Sequence, residues 1–368
     1  MDYPTALLDW LACAAGGRQD PAAVAARETG PVAAAATAGH VLDYDDTYLP
    51  GLAHLSAPTA PAALVVAAEL GRSAGEALAA YGAGFEAMGA FAAAVHPTLY
   101  ERGWHPTAVC GTMGAAVASG ALLGLERERM RCAAALGLLR AGGLRAAFGS
   151  HGKSLQVGLA AAAGVEAGRL AAAGARVPFE RAADGFETAF GARPPEPGPA
   201  GRAIEDNWIK PWPCCLQSHG AIEAAMGARG AEGAVQVRVH PVSLQAAGYD
   251  DVADGLEAKF SIPYLTAFTL LHGPPRASDF RGVDEEARRL AAKDVEVRAD
   301  HSLLESEAIL TADGVEVRVE AAQGSPGRPL SAEAHAAKLE ELAGHRLDGA
   351  LDDPDRPAAE LLDAAGLR

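Results

Sequence analysis

Apolar residues recur at helical spacing through the first half of the chain. Between Thr5 and Arg176, segments such as PAALVVAAELGRSAGEALAAYGAGFEAMGAFAAAV place apolar positions three or four residues apart, with Gly and Pro between segments. The strict alternation that indicates half-buried strands is not the pattern of this region. The spacing therefore predicts one packed helix after another.

The spacing changes near residue 232. AVQVRVHPVSL, DVEVRAD and AILTADGVEVRVE alternate apolar and polar residues, and Asp313-Gly314 is typical of a two-residue hairpin turn. Two helical segments, EAKFSIPYLTAFTLLHG and FRGVDEEARRLAAK, separate these strands. The fold class is therefore predicted as mostly α, with a large all-helical domain over residues 1–231 and a small α+β domain over 232–330.

Two further segments complete this division. SAEAHAAKLEEL begins on Ser331 with acidic residues after it, a helix-start signal, so we expect 331–368 to be a helical segment that returns to the helical domain. GARPPEPGPAGR, residues 191–202, is rich in Pro and Gly and predicts a surface loop.

Small residues dominate the predicted helical core. The chain is 49% hydrophobic but only 5% aromatic, so most of the core volume comes from alanine and other short side chains. GTMGAAVASGALLGL, residues 111–125, repeats Gly and Ala at short intervals. We interpret this segment as a helix whose backbone approaches its neighbours closely, rather than as a nucleotide-binding loop.

Charge and cysteine content restrict the partners and the compartment. The net charge of −16 argues against nucleic acid and anionic membranes, whereas a small anion can still bind through a few buried lysines. The first residues lack the basic start of a signal peptide, and no uncharged run reaches the length of a membrane span. Five cysteines without a CxxC pair fit reduced thiols, so we expect a cytoplasmic protein.

Acidic residues and histidines concentrate in HVLDYDDTYLPGLAH, which begins at His40. His40, Asp43 and Asp46 lie at a spacing that a divalent metal ion can use, as in a metal hydrolase. Asp45, Asp46 and Thr47 are also residues that cap helices. A third interpretation, in which one aspartate and one histidine act as acid and base, requires partners from elsewhere in the chain.

Three further segments carry candidate chemistry. FGSHGKS ends like a phosphate-binding loop, but Ala147 stands where that pattern needs Gly and no strand precedes it, so only a Gly-flanked Lys153 remains. GWHPT places His105 at the start of a helix beside Trp, where we expect a neutral imidazole. IKPWPCCLQSH holds Lys210 in a stiff segment with few acids nearby. Each of these residues is also compatible with a purely structural role.

Five segments occur together in one order: HVLDYDDT with its following histidine and SAPTAPAAL, GWHPTAVCGTMGAA, FGSHGKSLQVGLAA, IKPWPCCLQSH and EAKFSIPYLTAF. In this combination the chain resembles the MmgE/PrpD family, which includes 2-methylcitrate dehydratase, cis-aconitate decarboxylase and iminodisuccinate epimerase. The resemblance extends from about Leu7 to at least residue 320. It carries more weight than any single segment because five motifs are in register.

The resemblance implies a large all-α domain joined to a smaller α+β lid domain, an active site in the cleft and a homodimer. It also implies a cofactor-independent lyase that abstracts a proton next to a carboxylate and eliminates water from a small hydroxy-polycarboxylate. An epimerase, isomerase or decarboxylase acting on a related di- or tricarboxylate is the alternative. A catalytically inert helical binding protein of the same fold is a further one.

The family's active-site motifs fall on six positions of this sequence. They imply as catalytic residues His105, Asp43 and His54, and as substrate-binding residues Lys153, Lys210 and Thr47. In these roles the lysines hold carboxylates and stabilise the dianion that proton abstraction produces, while the histidine of GWHPT acts as the acid or base. We expect no metal and no cofactor.

Of the remaining polar residues of the first motif, Asp45 and Asp46 are then expected at a helix end or in supporting contacts, and His40 is expected to pack against the same turn. Two departures from the family pattern bear on the substrate. His54 is followed by Leu where the family has HPS, and KSLQVG replaces a KPLHAG-like string, so that Gln156 stands in place of a histidine. The chain is also expected to lack the family's extra N-terminal helix.

Overall fold

A computed structural model describes residues 1–198, 201–231, 233–347 and 349–368. The chain divides into two compact units. Unit 1 comprises residues 1–146, 152–209 and 331–368, and unit 2 comprises 147–151 and 210–330. Positions 199–200 of the predicted surface loop, and position 232, where the predicted small domain begins, lie outside the described residues.

Unit 1 is built from helices, as the spacing of apolar residues predicted. Its helices are α1 (Tyr3–Gly17), α2 (Pro21–Ala26), α3 (Pro31–His40), α4 (Ser56–Glu69), α5 (Ala74–Val95), α6 (Thr98–Glu101), α7 (Pro106–Leu122), α8 (Arg127–Leu138), α9 (Gly152–Ala172), α10 (Phe179–Phe190), α16 (Ala332–Ala343) and α17 (Ala358–Ala364). Two short strands, β1 (Thr47–Tyr48) and β2 (Asn207–Trp208), pair antiparallel.

Local signals in the sequence set the starts of these helices. The Ser73 side chain accepts a hydrogen bond from the Glu76 N–H, and the Glu76 carboxylate accepts one from the Ser73 N–H, which forms a capping box at α5. Helix α7 begins at Pro106, directly after His105. Ser331 accepts from the Ala334 N–H and caps α16, as predicted.

Glycines allow the central helices of unit 1 to pack closely. A Cβ atom added at Gly84 of α5 would lie 2.6 Å from the carbonyl oxygen of Gly114 in α7 and 2.7 Å from the Cβ of Ala118. Neither neighbour has a flexible end that can move aside. The interpretation of residues 111–125 as a closely packed core helix is therefore confirmed.

Helix α5 is also the one helix among the described residues that is long and apolar enough to cross a membrane. In its most apolar window, 61% of the residues are buried inside the protein. Phe85, Met88 and Phe91 of this helix belong to the core of unit 1. Since core helices of globular proteins share this length and composition, the expectation that no segment spans a membrane stays a prediction.

Unit 2 contains the alternating segments. Its helices are α11 (His219–Gly227), α12 (Pro241–Ala246), α13 (Gly255–Ala258), α14 (Ile262–His272) and α15 (Glu285–Asp294), and its strands are β3 (Val235–Val239), β4 (Val295–Ala299), β5 (Ala308–Ala312) and β6 (Val315–Val319). The strand order is β4-β3-β5-β6, with β3 and β4 parallel and the other pairs antiparallel. Asp313 and Gly314, with φ of 47° and 75°, form the predicted hairpin turn.

The compact units change at Ile209 and Lys210, earlier than the change of sequence pattern near residue 232. The two positions differ because the pattern responds to the first strand, β3, whereas α11 already lies in unit 2. Residues 331–368 lie in unit 1.

Candidate active site

Seven buried polar residues meet in unit 1, at the end of α3, in the segment between α3 and α4, and at the starts of α7 and α9. They are His40, Asp43, Asp45, Thr47, His54, His105 and Lys153, and we call them the polar cluster. Helix α3 ends at His40, and Asp43 then adopts the left-handed region at φ 53°. The chain therefore turns directly after α3, and we call residues 41–55, which link α3 to α4, the reversing segment.

Lys153 supplies the positive charge of the polar cluster. Its side chain is only 7% exposed, and its Nζ donates a hydrogen bond of 2.7 Å to Asp43 Oδ1. Its Nζ also lies 2.8 Å from His40 Nε2. Because an ammonium group only donates, the His40 nitrogen accepts. Asp43 and Lys153 thus form a buried ion pair that also orients an imidazole.

Asp45 lies between two imidazoles. Its Oδ2 is 2.9 Å from His40 Nδ1 and 3.2 Å from His54 Nδ1. Burial alone would raise the pKa of Asp45, but the facing His40 and His54 rings bring the pKa well below its usual value. Asp45 was expected at a helix end or in a supporting contact, and His40 in packing. In the structure both side chains are members of the polar cluster, with His40 as the last residue of α3 and Asp45 in the segment that follows it.

His54 is held in place at Nδ1. Its Nδ1 faces Asp45 and lies 3.5 Å from Thr47 Oγ1, and its Nε2 is 3.6 Å from Asp43 Oδ1, too long for a hydrogen bond. Burial lowers the pKa of His54 to about 4, although Asp45 acts in the opposite direction. Leu55, which stands where the family has Pro, is buried in the core of unit 1.

His105 precedes α7, and its backbone N–H donates to Gly143 O. Its Nδ1 lies 2.6 Å from Nε2 of Gln156, and its ring stacks with that of His40 at 6.0 Å between centroids. Burial, followed by the charge of Lys153, holds the pKa of His105 well below its usual value. The imidazole is therefore neutral, as its place in the sequence predicted.

Asp46 holds the segment that carries Asp43 and Asp45 in place. It accepts hydrogen bonds from the Ser56 N–H and Oγ–H at the start of α4, and from Asn207 Nδ2 in β2. Burial raises the pKa of Asp46 to about 7, and the neighbouring Asp45 acts in the same direction. These contacts tie the reversing segment to α4 and β2, which is the supporting role expected for Asp46.

Lys210 belongs to unit 2, whereas the five other predicted site residues belong to unit 1. Its side chain is fully buried, and its Nζ donates a hydrogen bond of 2.9 Å to Cys214 O. The same carbonyl lies 3.3 Å from His219 Nε2. Unit 1 thus brings together Asp43, Thr47, His54, His105 and Lys153. His40 and Asp45 join them, although only packing and helix-end or supporting roles were expected of these two residues.

Four members of the polar cluster have the composition of a metal site. Each of His40, Asp43, Asp45 and His54 offers one ligand atom, and these four atoms lie within 4.8 Å of one another. The Lys153 ammonium already contacts one oxygen of Asp43 and one nitrogen of His40. A metal ion that used those two atoms would have to displace the ammonium. The absence of a metal stays a prediction.

Comparison with known proteins gives two family matches. Residues 27–196 match the MmgE/PrpD N-terminal domain, and residues 212–363 match the MmgE/PrpD C-terminal domain. Together these matches cover well over half of the chain.

Individual relatives are similar over shorter segments. Over 230 residues the chain is 32% identical to a cis-aconitate decarboxylase from Aspergillus terreus, which covers 55% of this chain and 46% of that protein. Over 140 residues it is 34% identical to cis-aconitate decarboxylase from Homo sapiens, which covers 37% of this chain and 29% of that protein. The chain thus spans less than half the length of these curated relatives.

Proposed function

The chain belongs to the MmgE/PrpD family, and on that basis we propose that it is a lyase acting on a small di- or tricarboxylic acid. It removes a proton from the carbon next to a carboxylate and needs no cofactor. The observation that carries this proposal is the buried Lys153 ammonium, which lies 2.7 Å from Asp43 Oδ1 and 2.8 Å from His40 Nε2.

Charge stabilisation is the main requirement of such a reaction. Removing a proton next to a carboxylate places a second negative charge on the carboxylate group. A buried ammonium stabilises that charge more than a solvated one, because water does not screen it. Lys153 is therefore proposed to bind the substrate carboxylate at which the charge develops, beside the fixed charge of Asp43.

Two neutral histidines supply the remaining chemistry. His54 and His105 are both neutral near pH 7, since burial lowers the pKa of each ring. A neutral imidazole is able to take up a proton or to donate a hydrogen bond, depending on which nitrogen carries its hydrogen. Thr47, with its Oγ1 3.5 Å from His54 Nδ1, is proposed to orient the substrate. The role of Lys210 as a second carboxylate-binding residue is proposed on the strength of the IKPWP motif alone.

Elimination of water from a hydroxy-polycarboxylate is the first candidate reaction. Decarboxylation is the second, and the similarity to two cis-aconitate decarboxylases favours it. Both reactions need a stabilised negative charge next to a carboxylate. A homodimer and a cytoplasmic location are proposed from the family resemblance and the composition.

Hydrogen exchange in D2O tests the proposal. The protein is incubated with saturated hydroxy and amino acids of the citrate, malate and aspartate type and with an unsaturated tricarboxylate, and C–H signals are followed by NMR. New vinyl signals from a saturated acid indicate water elimination, and CO2 release with deuterium in the product indicates decarboxylation. Exchange with inversion and no net reaction indicates an epimerase. If no acid exchanges, the proposal is wrong.

Two lysine variants link the activity to the site. Lys153→Met removes the buried ammonium and should reduce exchange by on the order of 10²-fold or more. Lys293→Met, at a side chain that is 79% exposed, is the matched control and should exchange at the wild-type rate. Equal rates for the two variants would contradict the role of Lys153.

A further inference from the structure

The side-chain amide of Gln156 has a fixed orientation. Its Oε1 accepts a hydrogen bond of 2.9 Å from the Leu144 N–H, and its Nε2 donates one of 3.2 Å to Leu144 O. Rotating the amide by 180° would place oxygen against oxygen and nitrogen against nitrogen, so both hydrogen bonds would be lost. The atom that lies 2.6 Å from His105 Nδ1 is therefore the Gln156 nitrogen, a donor.

This contact determines which nitrogen of His105 carries the hydrogen. A ring nitrogen that accepts a hydrogen bond has its lone pair directed at the donor and cannot carry a proton there. In the neutral ring of His105 the hydrogen is consequently on Nε2. His105 presents an N–H donor on the side of the ring away from Gln156.

Asp45 imposes the opposite state on His54. A carboxylate only accepts hydrogen bonds, and Asp45 Oδ2 faces Nδ1 of both His40 and His54. Each of these rings therefore carries its hydrogen on Nδ1. The contact of His40 Nε2 with the Lys153 ammonium independently requires the same state of His40. His54 Nε2 is left with a lone pair.

We infer that Gln156 and Asp45 are positioning residues that hold His105 and His54 in opposite tautomers, so that His54 takes up the substrate proton while His105 only donates a hydrogen bond. The inference rests on the proposed function for its substrate. For the states of the rings it rests on the contacts of Gln156 and Asp45 alone. It changes the role of acid or base that the family resemblance gave to His105.

These residues and the substrate account for every proton and electron pair in the proposed reaction. His54 Nε2 forms a bond to the proton as the C–H bond breaks, and the electron pair moves onto the carboxylate beside Lys153. His105 stabilises this charge through its Nε2–H and stays neutral, because losing that proton would leave an imidazolate. In water elimination the electron pair then forms the C=C bond as the C–O bond breaks. The proton on His54 passes to the leaving hydroxide, which departs as water, and His54 returns to its first state.

The states of the rings are observable without any substrate. In protein labelled with 15N at histidine, nitrogen shifts at neutral pH distinguish a protonated from an unprotonated ring nitrogen. The signals of the two rings are assigned as those lost in His54→Gln and in His105→Gln. We expect the proton on Nε2 in His105 and on Nδ1 in His54. A proton on His105 Nδ1, or the same tautomer in both rings, would overturn the inference whatever the activity.

A charged variant of Gln156 tests whether the tautomer of His105 affects catalysis. Gln156→Glu replaces the donor with an acceptor, so it should move the His105 proton to Nδ1 and lower kcat for C–H exchange by on the order of 10²-fold, with a smaller effect on KM. Gln19→Glu adds the same charge at an exposed position of unit 1 and should change neither the shifts nor the rate. Gln156→Leu leaves the ring without its donor and should give a mixture of tautomers.

The outcomes separate this inference from the proposed function. Opposite tautomers in a protein that exchanges no acid would refute the proposed function and leave the ring states standing. A Gln156→Glu variant whose His105 proton has moved to Nδ1, yet which exchanges at the wild-type rate, would refute the role of His105 and leave the proposed function standing.

Discussion

Two carboxylates and one ammonium carry the formal charge of the polar cluster, since burial favours the neutral form of its three imidazoles. The ammonium of Lys153 is paired with Asp43, whereas Asp45 is stabilised by ring N–H donors instead of a second cation. Hydrogen bonds from neutral rings can hold a buried carboxylate without cancelling its charge. The polar cluster therefore combines a localised positive charge with two rings whose hydrogens are directed by fixed partners.

The pH dependence of exchange should report the state of His54. Burial lowers the pKa of His54 from 6.5 to about 4. Asp45 acts in the opposite direction, and Lys153 and His40 act in the same direction as burial. As pH falls, the neutral base is thus retained until about pH 4, and the acid limb of kcat/KM should lie there, not near 6.5. A limb near 6.5 would contradict a buried His54 base.

The same shift has a consequence for stability. The unfolded chain binds a proton at His54 below about pH 6.5, whereas the folded chain does so only below about pH 4. The contribution of His54 to the free energy of unfolding is therefore complete above 6.5 and is lost as pH falls towards 4. Denaturant unfolding of wild type and His54→Gln over this range should show a weaker pH dependence in the variant.

The effect of a chelator on exchange should show whether the Lys153 ammonium or a metal ion provides the positive charge of the polar cluster. Because the ammonium contacts one nitrogen of His40 and one oxygen of Asp43, which are two of the four potential ligand residues, chelator should leave exchange by the wild type unchanged. Lys153→Met removes the competing cation, so it should bind Zn2+ at least 10-fold more tightly than wild type in calorimetry. Loss of wild-type exchange on chelation, with recovery on adding metal, would show that the polar cluster is a metal site.

At the scale of elements, the site depends on how closely the helices that carry it approach one another. His105 and Lys153 stand at the starts of α7 and α9, and α7 packs against α5 through glycines. A helix start fixes the direction of the residue before it, so shifting α7 would move His105 with it. Small side chains between helices are thus part of what positions the polar cluster.

Two glycine variants test this packing. Gly84→Ala places its Cβ 2.6 Å from a backbone oxygen of α7, so we expect a loss of about 1–3 kcal/mol in the free energy of unfolding. Gly185→Ala in α10 is the matched control, because its Cβ meets nothing within 4 Å. Removing a glycine from an exposed helix position should stabilise the protein by about 0.5–1 kcal/mol. Denaturant unfolding of both variants should therefore give shifts of opposite sign.

At the scale of the whole molecule, the last segment of the chain packs on the first helix and reaches the site. Lys338 of α16 lies 2.7 Å from Asp9 Oδ1 in α1, and its Nζ donates a hydrogen bond to Tyr44 O, within the segment that carries Asp43 and Asp45. All three partners are buried. The C-terminal segment therefore helps to hold the reversing segment of the polar cluster in place.

Lys338→Met should lower both stability and activity. The variant leaves the buried Asp9 carboxylate without its ammonium and with His335 Nε2, at 3.1 Å, as its remaining side-chain contact. Breaking a buried ion pair in this way typically costs about 3–5 kcal/mol. The double variant Asp9→Asn/Lys338→Met removes the buried charge and should recover part of the free energy of unfolding. It does not restore the hydrogen bond to Tyr44 O, so its exchange rate should stay below wild type. Full recovery of both quantities would contradict a link between the C-terminal segment and the site.

Short-range patterns allowed much of the architecture to be predicted. Helical spacing, the Ser331 cap and the Asp313-Gly314 turn are local signals, because each depends on residues a few positions apart. They identified the helices of unit 1 and the β5–β6 hairpin. They did not locate the change of unit at Lys210, because compact units depend on which elements pack together.

The sequence by itself determined the helical and strand segments, the family and the residues from which the site is drawn. Only the tertiary structure decided which of those residues meet. Asp45 reaches both His40 and His54 because the chain reverses after α3, and Lys153 meets Asp43 across 110 positions of the chain. Gln156, which the sequence showed only as a departure from a motif, orients His105. Such contacts depend on helix ends and loop geometry, which the spacing of apolar residues does not encode.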